Sequence, residues 1–366
     1  MQYRYYKIGK VNFRVEAADT LHRSLSYDFR AGDRVDNELP LYDITFIFLS
    51  NKKFLNFDRD REGIIEYSNH IADFLYYKDA TGLVVCVVSL KSSLRMKLGK
   101  KIPNLLQKLL TIKFVTAAEQ QYASILYNVI LFNVFMVSLS KGHIIMHASA
   151  FVADSRVHVL SGSGGVGKTT LSYTALKKFG AEFLADDLVY VDDAGNCYIN
   201  LMAVHVYPYN GVSYDQVSFD EGTFLRKLGF IHWHFRRLIF GVKAVCRRVP
   251  PHRLYTLSKT EELLPIDKLT WLLPKSKGDS YGEGIDAYIS HHLAVLRTEF
   301  KGAYELIAYN SHFFRFFGID SIENIEDAEN YISKVMKKAL LSTKFSILVN
   351  DFSKTPEDYC KRILQQ

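Results

Sequence analysis

The strongest chemical pattern in the chain is a run of glycines followed by a lysine and a threonine. Residues 162–169 read GSGGVGKT and match G-x(4)-G-K-[ST], the pattern of phosphate-binding P-loops. An apolar strand pattern at 157–160 leads into this glycine-rich loop and a helical pattern leaves it, as the motif requires. Backbone N–H groups of such a loop and the N-terminus of the following helix favour phosphate oxygens. The sequence therefore predicts a nucleoside triphosphate site at Gly162, Ser163, Gly164, Gly165, Val166, Gly167, Lys168, Thr169 and Thr170.

Two residues of this loop have side chains suited to triphosphate chemistry. Lys168 is expected to reach the β- and γ-phosphates, and the hydroxyl of Thr169 is expected to ligate Mg²⁺. The motif thus predicts ATP and Mg²⁺ as cofactors, although it does not choose between ATP and GTP.

A pair of adjacent carboxylates, Asp186 and Asp187, ends the strand pattern AEFLADD, 18 residues after Lys168. Ligands of open α/β sheets bind at the carboxyl ends of strands, so this pair is expected beside the triphosphate. One carboxylate can hold Mg²⁺ and the other can accept a proton from an attacking hydroxyl. The second pair, Asp192 and Asp193, precedes Gly195 and is interpreted as part of a structural turn.

A histidine, His147, precedes the first loop glycine by 15 residues. It lies in a strand pattern that is expected to run beside the strand leading into the loop. A histidine there can orient an acceptor or pass a proton. The alternative is an ordinary core histidine.

Composition limits the kind of protein. The 366 residues favour two domains, and 48% apolar content excludes a wholly disordered chain. The net charge of +7 favours polyanionic partners, but the basic residues are scattered, so we expect no nucleic-acid partner. Four cysteines without CxxC spacing and an N-terminus without a signal-peptide core indicate a cytoplasmic protein. The sequence leaves open whether the chain forms a homo-oligomer.

One apolar segment, residues 122–140, is nearly long enough to span a bilayer. It contains Asn128 and Asn133 together with several hydroxyl side chains. We interpret it as a buried helix and expect no membrane partner.

The remaining patterns describe the elements that must position these residues. Strands are predicted at VNFRVEA, YDITFIFLS and TGLVVCVVSL, with a loop at DRDRE, which favours a mostly β accessory domain over residues 1–115. A helix at 116–140 then opens a second domain, residues 116–366. In it we predict strands at HIIMHASAFVA, RVHVLS, AEFLADD, LVYVDD, NCYINL, VCRRVPPHRLYTL and KLTWLLPK, and helices at TTLSYTALKKFG and IENIEDAENYISKVMKKALLS.

Three motifs together, HIIMHASAF, GSGGVGKTT and FLADD, resemble the catalytic domain of the bacterial HPr kinase/phosphorylase family. Its relatives include kinase-like proteins of peptide-modifying clusters, and its nucleotide core resembles that of ATP-dependent phosphoenolpyruvate carboxykinase. The likeness covers residues 140–205 well and 205–310 loosely. Gly164 stands where the family has a serine, and the family's E-[VI]-R-G signature is replaced by INLMAVHVYPYNGV, which weakens the case for HPr as substrate and for phosphorolysis.

The resemblance implies an α/β fold: a P-loop, HPr-kinase-like catalytic domain with a β-rich N-terminal accessory domain. It implies phosphorylation of a hydroxyl, usually of serine, with His147 and Asp186 at the reaction centre and Asp187 near Mg²⁺. It also implies a basic loop near the active site, which RRVPPHR can supply. Its Arg248 and Arg253 are candidates for contacting the transferred phosphate, because a planar guanidinium suits bidentate phosphate contact.

These patterns lead to one expected function and two alternatives. We expect an ATP- and Mg²⁺-dependent phosphotransferase, a kinase of a serine hydroxyl on a peptide or small protein. The first alternative is a kinase of a small hydroxylated metabolite. The second is a nucleotide-binding regulatory module that transfers no phosphate.

Overall fold

The computed structural model of the chain describes residues 2–18, 21, 25, 34–35, 42–48, 64–68, 72–80, 82–91, 101–210, 212–218, 222–258, 263–274, 282–299, 317–319, 322–350 and 354–365. These residues form a mixed α/β protein with a β-rich N-terminal region. The chain packs into two compact units. The first comprises Met1–Tyr6, Asn12–Ile130 and Met202–Leu254, and the second comprises Lys7–Val11, Leu131–Leu201 and Tyr255–Gln366.

Within its described residues, the N-terminal region forms a seven-stranded mixed sheet. The strands are β1 (Gln2–Ile8), β2 (Val11–Ala17), β3 (Arg34–Val35), β4 (Ile44–Phe48), β5 (Ile65–Ser68), β6 (Ala72–Asp79) and β7 (Gly82–Leu90). They lie in the order β3-β1-β2-β4-β7-β6-β5. The central pairs β2·β4 and β4·β7 are parallel, and β6 and β5 add antiparallel strands. Burial alternates along β2, as expected for a strand with one face in a core.

The first unit also contains helices and a two-stranded ribbon. The helices are α1 (Asn104–Leu110), α2 (Ala117–Ile125) and a π-helical turn (Leu126–Ile130), and a ribbon of two further strands pairs Val204–Val206 with Arg247–Val249. Thr116 begins α2 with a capping box, in which its hydroxyl and the Glu119 carboxylate each accept a backbone N–H. A short helix (Tyr214–Val217) and an 18-residue helix (Thr223–Phe240) complete the described part of this unit.

The apolar segment predicted as a helix at 116–140 is helical over Ala117–Ser140, and it is long and apolar enough to cross a membrane. Of its most apolar 18-residue window, 72% is buried within the protein, which fits the predicted core helix. Its last part, α3 (Leu131–Ser140), belongs to the second unit and is buried along nearly its whole length.

The second unit is built on strands that carry the predicted site. In chain order they are β8 (Ile144–Ala153), β9 (Arg156–Ser161), β10 (Glu182–Ala185), β11 (Leu188–Val191), β12 (Asn196–Tyr198), β15 (Leu264–Pro274) and β16 (Lys344–Asn350), where β13 and β14 denote the ribbon strands Val204–Val206 and Arg247–Val249. The strand β8 pairs antiparallel with β9, β10 and β11, whereas β15 runs parallel to both β9 and β16. The strand entering the glycine-rich loop therefore lies between β8 and β15.

Among the described residues, α3 and four later helices flank these strands. The later helices are α4 (Lys168–Lys178), α7 (Ile285–Glu299), α8 (Ile325–Ala339) and α9 (Pro356–Gln365), with α5 and α6 denoting Tyr214–Val217 and Thr223–Phe240. A buried cluster joins α4 and α9 to the sheet. It contains Phe151, Leu160, Val166, Leu171, Ala175, Leu272, Leu348, Tyr359, Cys360 and Ile363. This core holds the start of α4 against the parallel strands.

Most local predictions in the second unit agree with the structure, including β8, β9, the loop-to-helix transition and the turn at Asp193 and Gly195. The prediction of one strand over VCRRVPPHRLYTL was wrong, because β14 ends at Val249 and a 3₁₀ turn, Pro251–Arg253, follows. Consecutive prolines lack the N–H groups that a ladder needs. The first unit also takes in Met202–Leu254, which the predicted boundary at residue 115 assigned to the catalytic part. The predicted DRDRE loop lies outside the described residues.

Candidate active site

The glycine-rich loop connects the end of β9 to the start of α4. Gly162 has φ 153°, and a Cβ on it would lie 2.5 Å from the carbonyl oxygen of Leu272 in β15. Gly167, the residue before α4, has φ 100°. Both conformations are strained for residues with a side chain. The glycines are therefore required by the close approach of β15 and by the turn into the helix.

The side chain of Lys168 folds back over the loop. Its Nζ donates hydrogen bonds to the carbonyl oxygens of Gly162, at 2.9 Å, and Ser163, at 3.1 Å, and only 6% of the residue is exposed. Across the loop, the Asn350 amide at the end of β16 donates to the carbonyl of Val166 at 2.9 Å. The conformation of the loop is thus stabilised by hydrogen bonds from Lys168, at its end, and from Asn350 of another strand.

The remaining predicted nucleotide residues have different environments. The Val166 side chain is buried in the core cluster and anchors the loop. A Cβ at Gly164 or at Gly165 would meet no atom within 4 Å. The Thr170 carbonyl accepts a hydrogen bond from Thr174 within α4. Open space therefore lies over the middle of the loop.

The carboxylate of Asp186 is bound by hydroxyl groups from two elements. Ser149 in β8 donates to its Oδ1, and Thr169 donates to Oδ1 at 3.2 Å and to Oδ2 at 3.4 Å. Burial, reinforced by the charge of Asp187, raises the pKa of Asp186 well above its usual range. A buried carboxylate with a raised pKa therefore lies beside the first turn of α4.

The backbone of Asp187 is in a left-handed conformation, with φ 64°. The Leu188 N–H donates to the Asp186 carbonyl at 2.8 Å around it, and the Ala148 N–H donates to the Asp187 carbonyl at 3.3 Å. The hydrogen bond from residue 188 to residue 186 is that of a γ-turn, which is strained when its central φ is positive. Strain of this kind is concentrated at functional sites.

His147 lies opposite Leu188 in the β8·β11 ladder and is therefore next to the Asp187 turn. Burial, together with the positive charge of Lys168, lowers the pKa of His147 to about 4, so the imidazole is neutral at physiological pH. A neutral ring accepts one hydrogen bond at one nitrogen and donates another from the other nitrogen. The structure thus brings His147, Lys168, Asp186 and Asp187 into one region, as the sequence predicted.

A buried hydrogen-bond chain links the strand of His147 to α7. The hydroxyl of Tyr288 donates to Ser161 at 2.9 Å, and the Ser161 hydroxyl donates to the His147 carbonyl at 3.2 Å. One turn further along α7, the ring of His292 stacks on Tyr288 at 5.7 Å and is buried. Burial lowers the pKa of His292 to about 3, and its Nε2 has no hydrogen-bond partner among the described residues.

Three aromatic side chains pack together near Asp186. Tyr255 stacks on Phe183 at 5.3 Å and meets Tyr173 of α4 edge-on at 6.0 Å. Burial raises the pKa of the Tyr255 phenol, and the charge of Asp186 adds to this effect. The phenol therefore stays protonated at neutral pH.

Sequence reasoning missed Ser149, Ser161, Tyr255, Tyr288 and Asn350. Ser149 alone carried a local signal, because it lies two residues after His147 in the same strand and alternation places both on one face.

The predicted arginines Arg248 and Arg253 belong to the first unit, whereas the loop, His147 and Asp186 belong to the second. The Arg248 guanidinium lies over the Tyr127 ring, 5.7 Å from its centroid. Arg253 ends the 3₁₀ turn and is exposed. Their contact with phosphate stays a prediction.

The described residues hold no group of three or more His, Cys, Asp or Glu side chains able to cage a metal ion. Mg²⁺ does not need such a cage, because it is usually bound by one or two carboxylates together with phosphates and water. Thr169 and Asp186 offer the oxygen ligands that Mg²⁺ prefers, and their hydrogen bond places these ligands together. The residues present therefore fit Mg²⁺ binding beside a triphosphate.

A scan of protein-family models finds none that matches this chain, and a search of curated proteins finds no match either. The likeness to the HPr kinase/phosphorylase family therefore rests on the three sequence motifs.

Proposed function

We propose that the glycine-rich loop binds the triphosphate of ATP and that the protein is a Mg²⁺-dependent kinase of a serine hydroxyl on a peptide or small protein. The proposal includes a P-loop catalytic fold like that of the HPr kinase/phosphorylase family. The observation that carries it is the meeting of Lys168, Thr169 and Asp186 where a glycine-rich loop enters a helix. Phosphate cradle, metal ligand and carboxylate then lie within one site.

In this proposal Lys168 leaves the loop carbonyls and turns to the β- and γ-phosphates. In the structure its Nζ donates to the carbonyl oxygens of Gly162 and Ser163, neighbouring residues of the loop that would surround the phosphates. The loop N–H groups and the N-terminus of α4 bind the remaining phosphate oxygens. Bound Mg²⁺ would neutralise charge that develops on the transferred phosphoryl group.

The division of labour between the carboxylates follows from their contacts. The resemblance assigns the proton to Asp186 and Mg²⁺ to Asp187, but Thr169 donates to Asp186. The geometry therefore favours Asp186 as the carboxylate that shares Mg²⁺ with Thr169. Asp187, which immediately precedes Leu188, the partner of His147 in the β8·β11 ladder, is then the better placed group to accept the proton of the attacking hydroxyl.

The carboxylates of this site suit a hydroxyl as the acceptor of the phosphoryl group. A hydroxyl is a poor nucleophile at neutral pH, and a positioned base accelerates its attack by roughly 10²- to 10⁴-fold. The acceptor oxygen forms a bond to the γ-phosphorus, the bond to the β,γ-bridging oxygen breaks, and the hydroxyl proton passes to the base.

The test is phosphate transfer by the purified protein from labelled ATP to serine-containing peptides and small proteins. We expect a phosphate ester that is stable to mild acid and is lost in Lys168→Ala. Lys178→Ala, at an exposed position of the same helix, is the matched control and should retain activity. An acid-labile product would exclude a hydroxyl acceptor, and normal turnover by folded Lys168→Ala would overturn the proposal.

A further inference from the structure

The surface of α6, in the first unit, exposes an unusual number of large apolar side chains. Leu238 is 85% exposed and Phe224 is 67% exposed. Further exposed apolar residues of this helix are Phe230, Ile231, Phe235, Ile239 and Phe240, and Val242 follows them. Soluble proteins seldom leave such a continuous apolar patch on one helix without a use for it.

The spacing places four of these residues on one face of the helix. Phe224, Ile231, Phe235 and Leu238 are separated by seven, four and three positions, which is the repeat of a helix. They form what we call the apolar stripe. The 18 residues of α6 make this face about 27 Å long. The opposite face is fixed in the protein, because Gly229, His232 and Trp233 are buried.

Cations flank the apolar stripe. The exposed side chains of Arg226, Lys227 and Arg237 lie on α6, and Lys243 follows it. The helix contains no Asp or Glu. The exposed Asp215 of the preceding helix pairs with Arg226 at 2.8 Å, so one of these charges is compensated, and the described surface of α6 keeps an excess of basic residues. An apolar face beside a row of basic residues is typical of a helix that lies in a membrane interface.

We propose that the apolar stripe and its flanking cations bind the surface of an anionic lipid membrane. The charges favour an anionic partner and disfavour a second copy of this helix, which would bring like charges together. A fluid bilayer accommodates a row of bulky side chains without the complementary groove that a folded protein partner would require. The contact is peripheral, and it departs from the expectation that the protein has no membrane partner.

The experiment is co-sedimentation of the full chain with vesicles of phosphatidylcholine alone or with 30 mol% phosphatidylserine at low and high salt. We expect binding to the anionic vesicles that weakens at high salt. Two double variants, Phe235→Ser with Leu238→Ser and Lys227→Glu with Arg237→Glu, should each lower the affinity at least about tenfold. All four side chains are exposed, so the fold should persist, as circular dichroism can verify.

Matched control variants are Leu341→Ser, which replaces an exposed leucine elsewhere, and Lys361→Glu, which reverses an exposed charge elsewhere. Both should bind the vesicles like the unmodified protein. Absence of binding to anionic vesicles, or equal binding by all variants, would overturn the proposal. Two other results would also overturn it. One is a dimer in sedimentation velocity that is lost in the Phe235→Ser, Leu238→Ser variant, and the other is binding of an acidic peptide without binding of anionic vesicles.

Discussion

The hydroxyl of Thr169 donates to both carboxylate oxygens of Asp186, at 3.2 and 3.4 Å, and so joins the second residue of α4 to the residue that follows β10. Asp187 instead lies at a left-handed backbone turn, with φ 64°, one residue before the β8·β11 partner of His147. The two adjacent carboxylates are therefore not equivalent, and each can be tested separately.

Asp186→Asn should raise the Mg²⁺ concentration required for activity by about 10- to 100-fold, because it weakens a carboxylate ligand. Asp187→Asn should instead lower turnover, by roughly 10²-fold or more, at an unchanged Mg²⁺ requirement. A magnesium titration of initial rates measures both effects. If Asp186→Asn loses turnover at every Mg²⁺ concentration and Asp187→Asn shifts the titration, the roles are those implied by the sequence resemblance.

The chain from Tyr288 through Ser161 to the His147 carbonyl predicts a positioning role for Tyr288. Tyr288→Phe should destabilise the protein by about 1 kcal/mol through one lost buried hydrogen bond. It should also lower kcat while leaving the KM for ATP nearly unchanged, because the strand of His147 loses a support but the glycine-rich loop does not.

The control for this variant is Tyr331→Phe, which deletes a hydroxyl that donates to the Leu139 carbonyl at 3.2 Å. It should lose similar stability and keep full kcat. Equal kcat values for the two variants would show that the Tyr288 hydroxyl has only a structural role.

Gly162→Ala should destabilise the second unit by about 2–3 kcal/mol, since the new Cβ would meet the Leu272 carbonyl oxygen and the backbone is strained for alanine. Gly164→Ala is the matched substitution within the same loop, where a Cβ meets no atom within 4 Å. It should leave stability unchanged or slightly raised. Urea unfolding of both variants measures the difference, and equal midpoints would contradict the described approach of β15.

His158 predicts how stability depends on pH. It is buried in β9 and stacks on Phe151 at 5.4 Å, and burial, with a contribution from Lys268, lowers its pKa from 6.5 to about 4. Between these pH values the unfolded chain binds a proton that the folded chain does not. The free energy of unfolding should therefore fall as the pH decreases from about 6.5 to 4, by on the order of 2–3 kcal/mol for this one group.

His158→Phe keeps an aromatic ring against Phe151 but removes the titrating group. The variant should therefore lose less stability than the unmodified protein over this pH range, with the two curves closest above pH 7. Denaturant titrations at several pH values provide the measurement. Parallel curves would show that His158 does not contribute.

Patterns local in sequence made part of the site predictable. The strand of His147, the loop and α4 follow one another within 35 residues, from Ile144 to Lys178, and each has its own strand, turn or helix signal. The aspartate pair was found because it ends a short strand. The left-handed backbone of Asp187 was not predictable, because nothing local in the sequence distinguishes Asp187 from the adjacent Asp186.

Residues distant in sequence were missed for a physical reason. Tyr288 donates to Ser161 across 127 positions, and Asn350 donates to Val166 across 184. Tyrosine and asparagine occur throughout the chain, so only tertiary packing distinguishes these two. The helix α6 was missed as well, because its exposed phenylalanines and isoleucines obscure the contrast between an inner and an outer face on which helix prediction relies.

The turn between β8 and β9 consists of Asp154 and Ser155, both with positive φ, at 49° and 60°. Such a turn matches the natural twist of two antiparallel strands and fixes their register with only two residues. Contacts between neighbours in sequence form quickly because little chain must be ordered to close them. The strand of His147 and the strand entering the glycine-rich loop can therefore pair early during folding. The parallel partners β15 and β16, which arrive from more than 100 residues later, then complete a site whose first half is already in place.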